Sequence, residues 1–206
     1  MHSAIEAVIL AGGKGSRMQG QDKGLVDYQG KPLIAHVLQC LQQQQMPVQQ
    51  IRINANRHLD QYASYGYPVI QDQMADFQGP LAGMQAGLSA CQSELCLFVP
   101  CDTPFLPDDL SLRLWQALQA PASNSGLAKQ TGIDIAIARS QQVHPVICLM
   151  RVSLLACLQQ ALAQGQRKVL QWQQQQAHCM VDFVQEGEQQ DGKLLRNFNH
   201  PQDLLR

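Results

Sequence analysis

No stretch of this 206-residue chain approaches the roughly 18 consecutive apolar residues that a membrane span needs. The opening Met1-His2-Ser3-Ala4-Ile5-Glu6 has no basic region ahead of an apolar run, so no signal peptide is expected. The chain therefore reads as soluble and cytoplasmic. Charge of one sign is missing too: 15 Lys and Arg stand against 16 Asp and Glu, a net charge of -1. Without an overall positive field, neither nucleic acid nor membrane is an expected partner. The seven cysteines, at 40, 91, 96, 101, 148, 157 and 179, form no C-x-x-C pair and are odd in number. Several lie in apolar runs such as Leu95-Cys96-Leu97, so they read as reduced, buried thiols. Internal repeats and a linker long enough to divide the chain are also lacking, and 206 residues suit one large domain.

What is present is alternation. Ala7-Val8-Ile9-Leu10 reads as a buried strand stopped by Gly12-Gly13. Pro32 is placed to open a helix whose Leu33, Ile34, Val37, Leu38 and Leu41 share one face. Ile51 to Asn54 and Pro68 to Gln71 read as strands, and Gly79-Pro80 as the start of a second helix. Leu95 to Val99 is the most hydrophobic strand and should be central; Asp108 is placed to cap the helix that follows. Further on, Pro121 to Gly132 reads as a flexible excursion, Ile133 to Ala138 and Pro145 to Met150 as strands, and Leu155, Leu158 and Leu162 as a helix. The glutamine runs 42–45 and 173–176 continue helical patterns and are expected on solvated helix surface. Repeated strand–helix–strand units predict a single three-layer α/β/α domain with a mostly parallel sheet. Ligands on such sheets bind beyond the carboxyl ends of the strands.

The polar motifs fall at those ends. Leu10-Ala11-Gly12-Gly13-Lys14-Gly15-Ser16-Arg17-Met18 follows the first strand directly. Its glycines free the backbone to turn N–H groups toward phosphate oxygens. A Walker loop is excluded because G-x-x-x-x-G-K-[ST] is absent, and a dinucleotide fingerprint would need glycine where Met18 stands. Lys14, Arg17 and Lys23 place three cations within ten residues, which favours phosphate binding over a plain tight turn. Asp102 follows the most hydrophobic strand, where a carboxylate can hold magnesium together with substrate phosphates. Read alone, it is as readily a turn or cap aspartate before Thr103-Pro104.

The opening block, with Gly20-x-Asp22-Lys23-Gly24-Leu25, resembles that of molybdenum cofactor guanylyltransferases. Those enzymes share a Rossmann-like nucleotide-diphospho-sugar transferase fold. The resemblance continues through Gly30-Lys31-Pro32-Leu33, Asn54-Ala55-Asn56-Arg57, Asp72, Gly79-Pro80-Leu81-Ala82-Gly83, Pro100-Cys101-Asp102-Thr103-Pro104, His144-Pro145 and Asn197-Phe198-Asn199. It implies a nucleotide-binding part over about residues 1–110 and an acceptor-binding part over about 130–206. It also implies that the backbone at Leu10, Ala11 and Gly12, with Lys23, Asn54, Asp72 and Asp102, contacts GTP. Asp102 would hold Mg2+, and Arg17 and Lys23 would act in catalysis. His144-Pro145, Asn197 and Asn199 resemble the family's pterin side, although a histidine before proline is more often a turn residue.

The implied reaction transfers GMP from GTP to the phosphate of molybdopterin, with release of pyrophosphate. Its acceptor is already an anion, so positioning and charge neutralisation should carry catalysis without a strong base. An acceptor from Asn54 or a carbonyl near Gly79-Pro80-Leu81 would separate guanine from adenine, and Asp72 would hold the ribose hydroxyls. The residues leave open which acceptor reads the base. Cys101 reads as packing, and Asp108 and Asp109 as structural acids. Two rivals stand beside this reading: a cytidylyl- or sugar-phosphate nucleotidyltransferase, and a non-catalytic nucleotide-binding adaptor. Beside catalysis, a protein that inserts or delivers the cofactor is an expected partner, and no sequence feature marks its surface.

Overall fold

The computed structural model describes residues 4–12, 22–73, 79–120, 132–183, 194–198 and 203. Lys14, Arg17, Asn199 and the expected excursion up to residue 131 lie outside them. The strands are β1 (Ile5–Leu10), β2 (Asp27–Tyr28), β3 (Lys31–Pro32), β4 (Val48–Asn54), β5 (Val69–Ile70), β6 (Leu95–Pro100), β7 (Ile135–Arg139), β8 (Val143–Arg151) and β9 (His178–Asp182). Seven of them form one sheet in the order β5-β4-β1-β6-β8-β7-β9, while β2 and β3 pair as a small ribbon. The helices are α1 (Leu33–Gln42), α2 (Leu59–Ala63), α3 (Pro80–Ala90), α4 (Leu110–Gln119), α5 (Leu155–Ala163) and α6 (Val169–Gln173). No helix among the described residues is long and apolar enough to cross a membrane.

Side chains alternate across a strand, and here both faces are covered. Ile5, Ala7 and Ile9 of β1 join one core with Ile34, Val37 and Leu41 of α1 and Leu110, Leu114 and Leu118 of α4. Val8 joins the opposite core with Leu81, Met84 and Leu88 of α3 and Leu158, Leu162 and Trp172 of α5 and α6. The central strands β1 and β6 are accordingly near-continuous apolar runs, as the sequence predicts. Strand β1 begins two residues earlier than its apolar run suggests and carries a buried Glu6.

The sheet is mostly parallel, with β8 antiparallel to both neighbours, β6 and β7. A three-residue connection between β7 and β8 permits only a hairpin, since a parallel crossover needs a dozen or more residues. Reversal of β8 brings its first residues, Val143 and His144, toward the edge where β6 ends.

Local corrections concern caps. Pro32 has ψ 145 and ends β3, so α1 starts one residue later, at Leu33. Helix α4 begins at Leu110, after Asp109 and not Asp108, and no side chain at its N-cap bonds the first turn. Gln44 does this from another element: its Oε1 accepts from the Ser111 N–H at 2.8 Å while its Nε2 donates to the Pro107 carbonyl at 2.8 Å. Gln44 is buried for that reason, and Gln173 is buried likewise, its Nε2 donating to the Pro145 carbonyl at 2.8 Å. Both glutamine runs thus contain structural connectors where the sequence predicts solvated surface.

Candidate active site at the carboxyl edge of the sheet

Four strand ends, those of β5, β4, β1 and β6, are stitched together at one edge. The Cys101 N–H donates to the Leu10 carbonyl at 3.1 Å, the Ala11 N–H to the Asn54 carbonyl at 2.8 Å, and the Ala55 N–H to the Ile70 carbonyl at 2.9 Å. Leu10, Ala11 and Gly12 therefore leave the sheet between Asn54 on one side and Cys101-Asp102 on the other. This is the convergence that the sequence reading requires.

Lys23 reaches the same edge through a single turn of 3-10 helix, Lys23–Leu25. Gly24 makes that approach possible: a Cβ there would lie 2.6 Å from the Tyr62 hydroxyl and 3.2 Å from the Cys101 Cβ. Asp22, one residue earlier, accepts a hydrogen bond from the Tyr62 hydroxyl. Burial and the neighbouring acids push the Tyr62 pKa up, so the group remains a donor. Pinned at both ends of this turn, Lys23 sets its Nζ 3.1 Å from Asp102 Oδ2.

Asp102 is nearly buried, and its other oxygen, Oδ1, has no hydrogen-bond partner among the described residues. Burial pushes its carboxyl up from the ordinary aspartate range, and the Lys23 ammonium only partly offsets this. An orphaned, buried carboxylate oxygen costs free energy unless something else meets it. A hard divalent cation carrying phosphate and water ligands fits that oxygen and needs no more than one protein carboxylate. No group of three potential metal-binding side chains occurs among the described residues. Cys101 beside it is buried and its thiol is pushed well up by burial, so it packs as predicted.

On the other side of Leu10, Ala11 and Gly12, Asn54 and Asp72 are brought together with a residue that the sequence reading passed over. Asn54 Nδ2 donates to Asp72 Oδ1 at 2.9 Å, and Asn56 Nδ2 to Asp72 Oδ2 at 2.8 Å. The Asp72 N–H returns a bond to Asn56 Oδ1 at 2.9 Å. Asn56 was visible only as part of the Asn54-Ala55-Asn56-Arg57 block; its partner 16 residues away could not be read from spacing. The Asn54 amide orientation set by Asp72 leaves Oδ1 facing α3, where a Cβ on Gly83 would stand 2.4 Å from it. Gly79, with φ 83, caps that helix as expected.

On the far side of Asp102, Asn197 Oδ1 accepts from the Thr103 hydroxyl at 2.7 Å. The Phe198 N–H donates to the Asp102 carbonyl at 2.8 Å. Phe198 packs edge-on to Tyr28, with ring centroids 4.9 Å apart, and Phe105 joins them. His144 lies within β8 and is not a turn residue; its Nε2 is 2.8 Å from the Ser140 hydroxyl. Burial lowers its pKa and favours the neutral ring.

Comparison with known proteins agrees with this geometry. Residues 7–178 match the family model of the MobA-like NTP transferase domain. A molybdenum cofactor guanylyltransferase of Haemophilus influenzae strain Rd is 43% identical over 204 residues, covering 99% of this chain and 97% of that one. Another, from Acidovorax sp. strain JS42, is 44% identical over 195 residues, covering 89% and 86%. The crystal structure of molybdopterin-guanine dinucleotide biosynthesis protein A from Archaeoglobus fulgidus superposes with a TM-score of 0.68 at 25% identity, covering 98% and 95%. The fold alone is shared with CMP:2-keto-3-deoxy-manno-octonic acid synthetase, TM-score 0.69 at 14% identity over 98% and 96%. The architecture is that of the nucleotide-diphospho-sugar transferases, and the chain belongs to the MobA-like NTP transferase family, among the molybdenum cofactor guanylyltransferases.

Proposed function

We propose that this protein transfers the GMP part of GTP to the terminal phosphate of molybdopterin, releasing pyrophosphate. The observation that carries the proposal is the pairing of Lys23 with a buried Asp102 whose second oxygen is unsatisfied, beside the turn that leaves β1. A phosphate acceptor attacking the α-phosphorus of a nucleoside triphosphate brings two anions together. Such a site must supply cations and orientation and has little need of a base.

Each residue then has a task. The backbone of Leu10, Ala11 and Gly12 receives the nucleotide at the edge of the sheet. Lys23 neutralises charge developing on the transferred phosphoryl group and pyrophosphate. Arg17, on the same cationic segment, is proposed to do so in bidentate fashion. Asp102 would hold Mg2+, which when bound supplies further neutralisation and orients the leaving group. Asn54 and Asp72, each fixing the other, are proposed to contact the nucleotide, Asp72 at the ribose hydroxyls. The 2.9 Å bond between them means that neither can turn away without releasing its partner.

Incubation with GTP, magnesium and molybdopterin should yield the guanine dinucleotide and pyrophosphate. In thermal-shift assays with magnesium, GTP should stabilise the protein more than CTP, UTP or ATP. Preferential stabilisation by CTP or UTP would overturn the guanylyl assignment and favour a cytidylyl or sugar-phosphate transferase.

A further inference from the structure

The loop that carries Asp102 is held from outside the sheet. Strand β6 ends at Pro100, and the following residues through Pro107 lie outside any helix or strand. A loop of this kind ordinarily leaves its backbone groups to water. Here the segment 194–198, nearly a hundred residues away in sequence, bonds it at three successive points. The Phe198 N–H donates to the Asp102 carbonyl at 2.8 Å, the Thr103 hydroxyl to Asn197 Oδ1 at 2.7 Å, and the Leu195 N–H to the Phe105 carbonyl at 3.1 Å. Leu195 adopts φ 59 and is fully buried, a costly backbone for a leucine that its surroundings must enforce. The packing of Phe198 against Tyr28, Leu33 and Phe105 fixes the segment from the other side.

Thr103 is the point of contact that a side chain controls. It is fully buried and adjoins Asp102. Its hydroxyl donates to Asn197 Oδ1 at 2.7 Å. We propose that Thr103 is a positioning residue: its hydrogen bond to Asn197 locks the loop so that the Asp102 carboxylate presents its unsatisfied oxygen to the nucleotide and its metal. The inference rests on the guanylyl-transfer reading above for the role of Asp102. It goes beyond it in making residues 194–198 a part of the metal-acid apparatus.

Three variants test this: Thr103→Val, which keeps the shape and loses the hydroxyl, Thr103→Ser, which restores it, and Asn197→Ala, which removes the acceptor. Binding of a fluorescent GTP analogue is titrated with and without magnesium, and turnover is followed beside it. Thr103→Val should raise the magnesium concentration for half-maximal GTP binding about tenfold. It should lower kcat by roughly ten- to a hundredfold, the scale of an ångström-sized misplacement. KM for GTP should change little, and Thr103→Ser should recover most of the loss. The double variant Thr103→Val/Asn197→Ala should be no worse than the poorer single variant, because both remove one bond.

A fall in thermal stability with an unmoved magnesium dependence would overturn the proposal, and so would fully additive losses in the double variant. Should Thr103→Val fail to fold, Asn197→Ala and Thr103→Ser carry the same magnesium titration. If the wild-type protein makes no guanine dinucleotide, the reaction assigned above fails, yet the magnesium-dependent binding still decides the role of Thr103.

Discussion

Two buried acids mark the two edges of the sheet, and their surroundings are opposite. At the amino edge, Glu6 pairs with Arg52, and its Oε1 accepts from the Gln92 N–H at 2.9 Å, the Ser93 N–H at 2.8 Å and the Ser93 hydroxyl at 3.0 Å. Burial works against its charge, but these partners outweigh it and hold the carboxyl below the usual glutamate range. At the carboxyl edge, Asp102 has Lys23 and an oxygen with nothing to meet it, and its carboxyl is pushed up. A saturated acid contributes to folding; one left wanting costs free energy unless something else meets it. The contrast is that the proposed function gives Asp102 that something, while Glu6 needs none.

The sharpest way to break it is Asp102→Asn. Turnover should fall by roughly a thousandfold or more, the scale of a removed electrostatic stabiliser, with melting temperature unchanged or raised. Wild-type rates in magnesium buffer would remove Asp102 from its role. The mirror variant, Glu6→Ala, strands Arg52 beside an emptied carboxylate site. It should cost about 3–5 kcal/mol in urea denaturation while leaving kcat intact at temperatures where the protein stays folded. Lys23→Ala should lower kcat about a hundredfold and, by leaving the buried Asp102 without its partner, should also cost stability; a loss of stability with kcat retained would make the lysine structural.

Gly24→Ala links the two quantities. Its methyl would crowd the Tyr62 hydroxyl, so we expect a loss of about 1–3 kcal/mol and a drop in kcat as Lys23 moves off its mark. Retention of full activity would show that the turn does not set the lysine. The smallest effect is in pH. Because the Glu6 pKa is lowered on folding, its contribution is present above the ordinary glutamate value of the unfolded chain. That contribution is lost as pH falls through the lower folded value. Glu6→Gln should therefore flatten the acid limb of the stability curve. Asp102 has the opposite sign: its raised pKa means the charged form burdens the fold at neutral pH. Protonation relieves that burden, so Asp102→Asn should not flatten the acid limb.

The carboxyl edge was far more legible in the sequence than the amino edge. Glycines after an apolar run, cations in the same segment and an aspartate after the most hydrophobic strand are local signals, and among the described residues Gly12, Lys23 and Asp102 meet at one edge. Glu6 gave no such signal. Its partners at 52, 92 and 93 are distant in sequence, and a single acid in a strand reads as a strand edge. The same reason hid Asn56, Gln44 and Thr103, whose meaning lies in one bond to a remote element. The position of Pro32 was missed by one residue because fixed φ suits both a first helical turn and an extended entry, and only ψ decides. Arg17 and Asn199 lie outside the described residues.

Cys101 has a bearing on which ions the edge can accept. A thiolate beside a carboxylate would create a mixed sulfur–oxygen donor pair of the kind soft metals such as zinc prefer. Burial raises the thiol pKa, keeps that sulfur protonated and packs it in the core. On the proposed reading, the Asp102 carboxylate would then offer the metal oxygen alone, and packing of Cys101 would suppress competition from thiophilic ions.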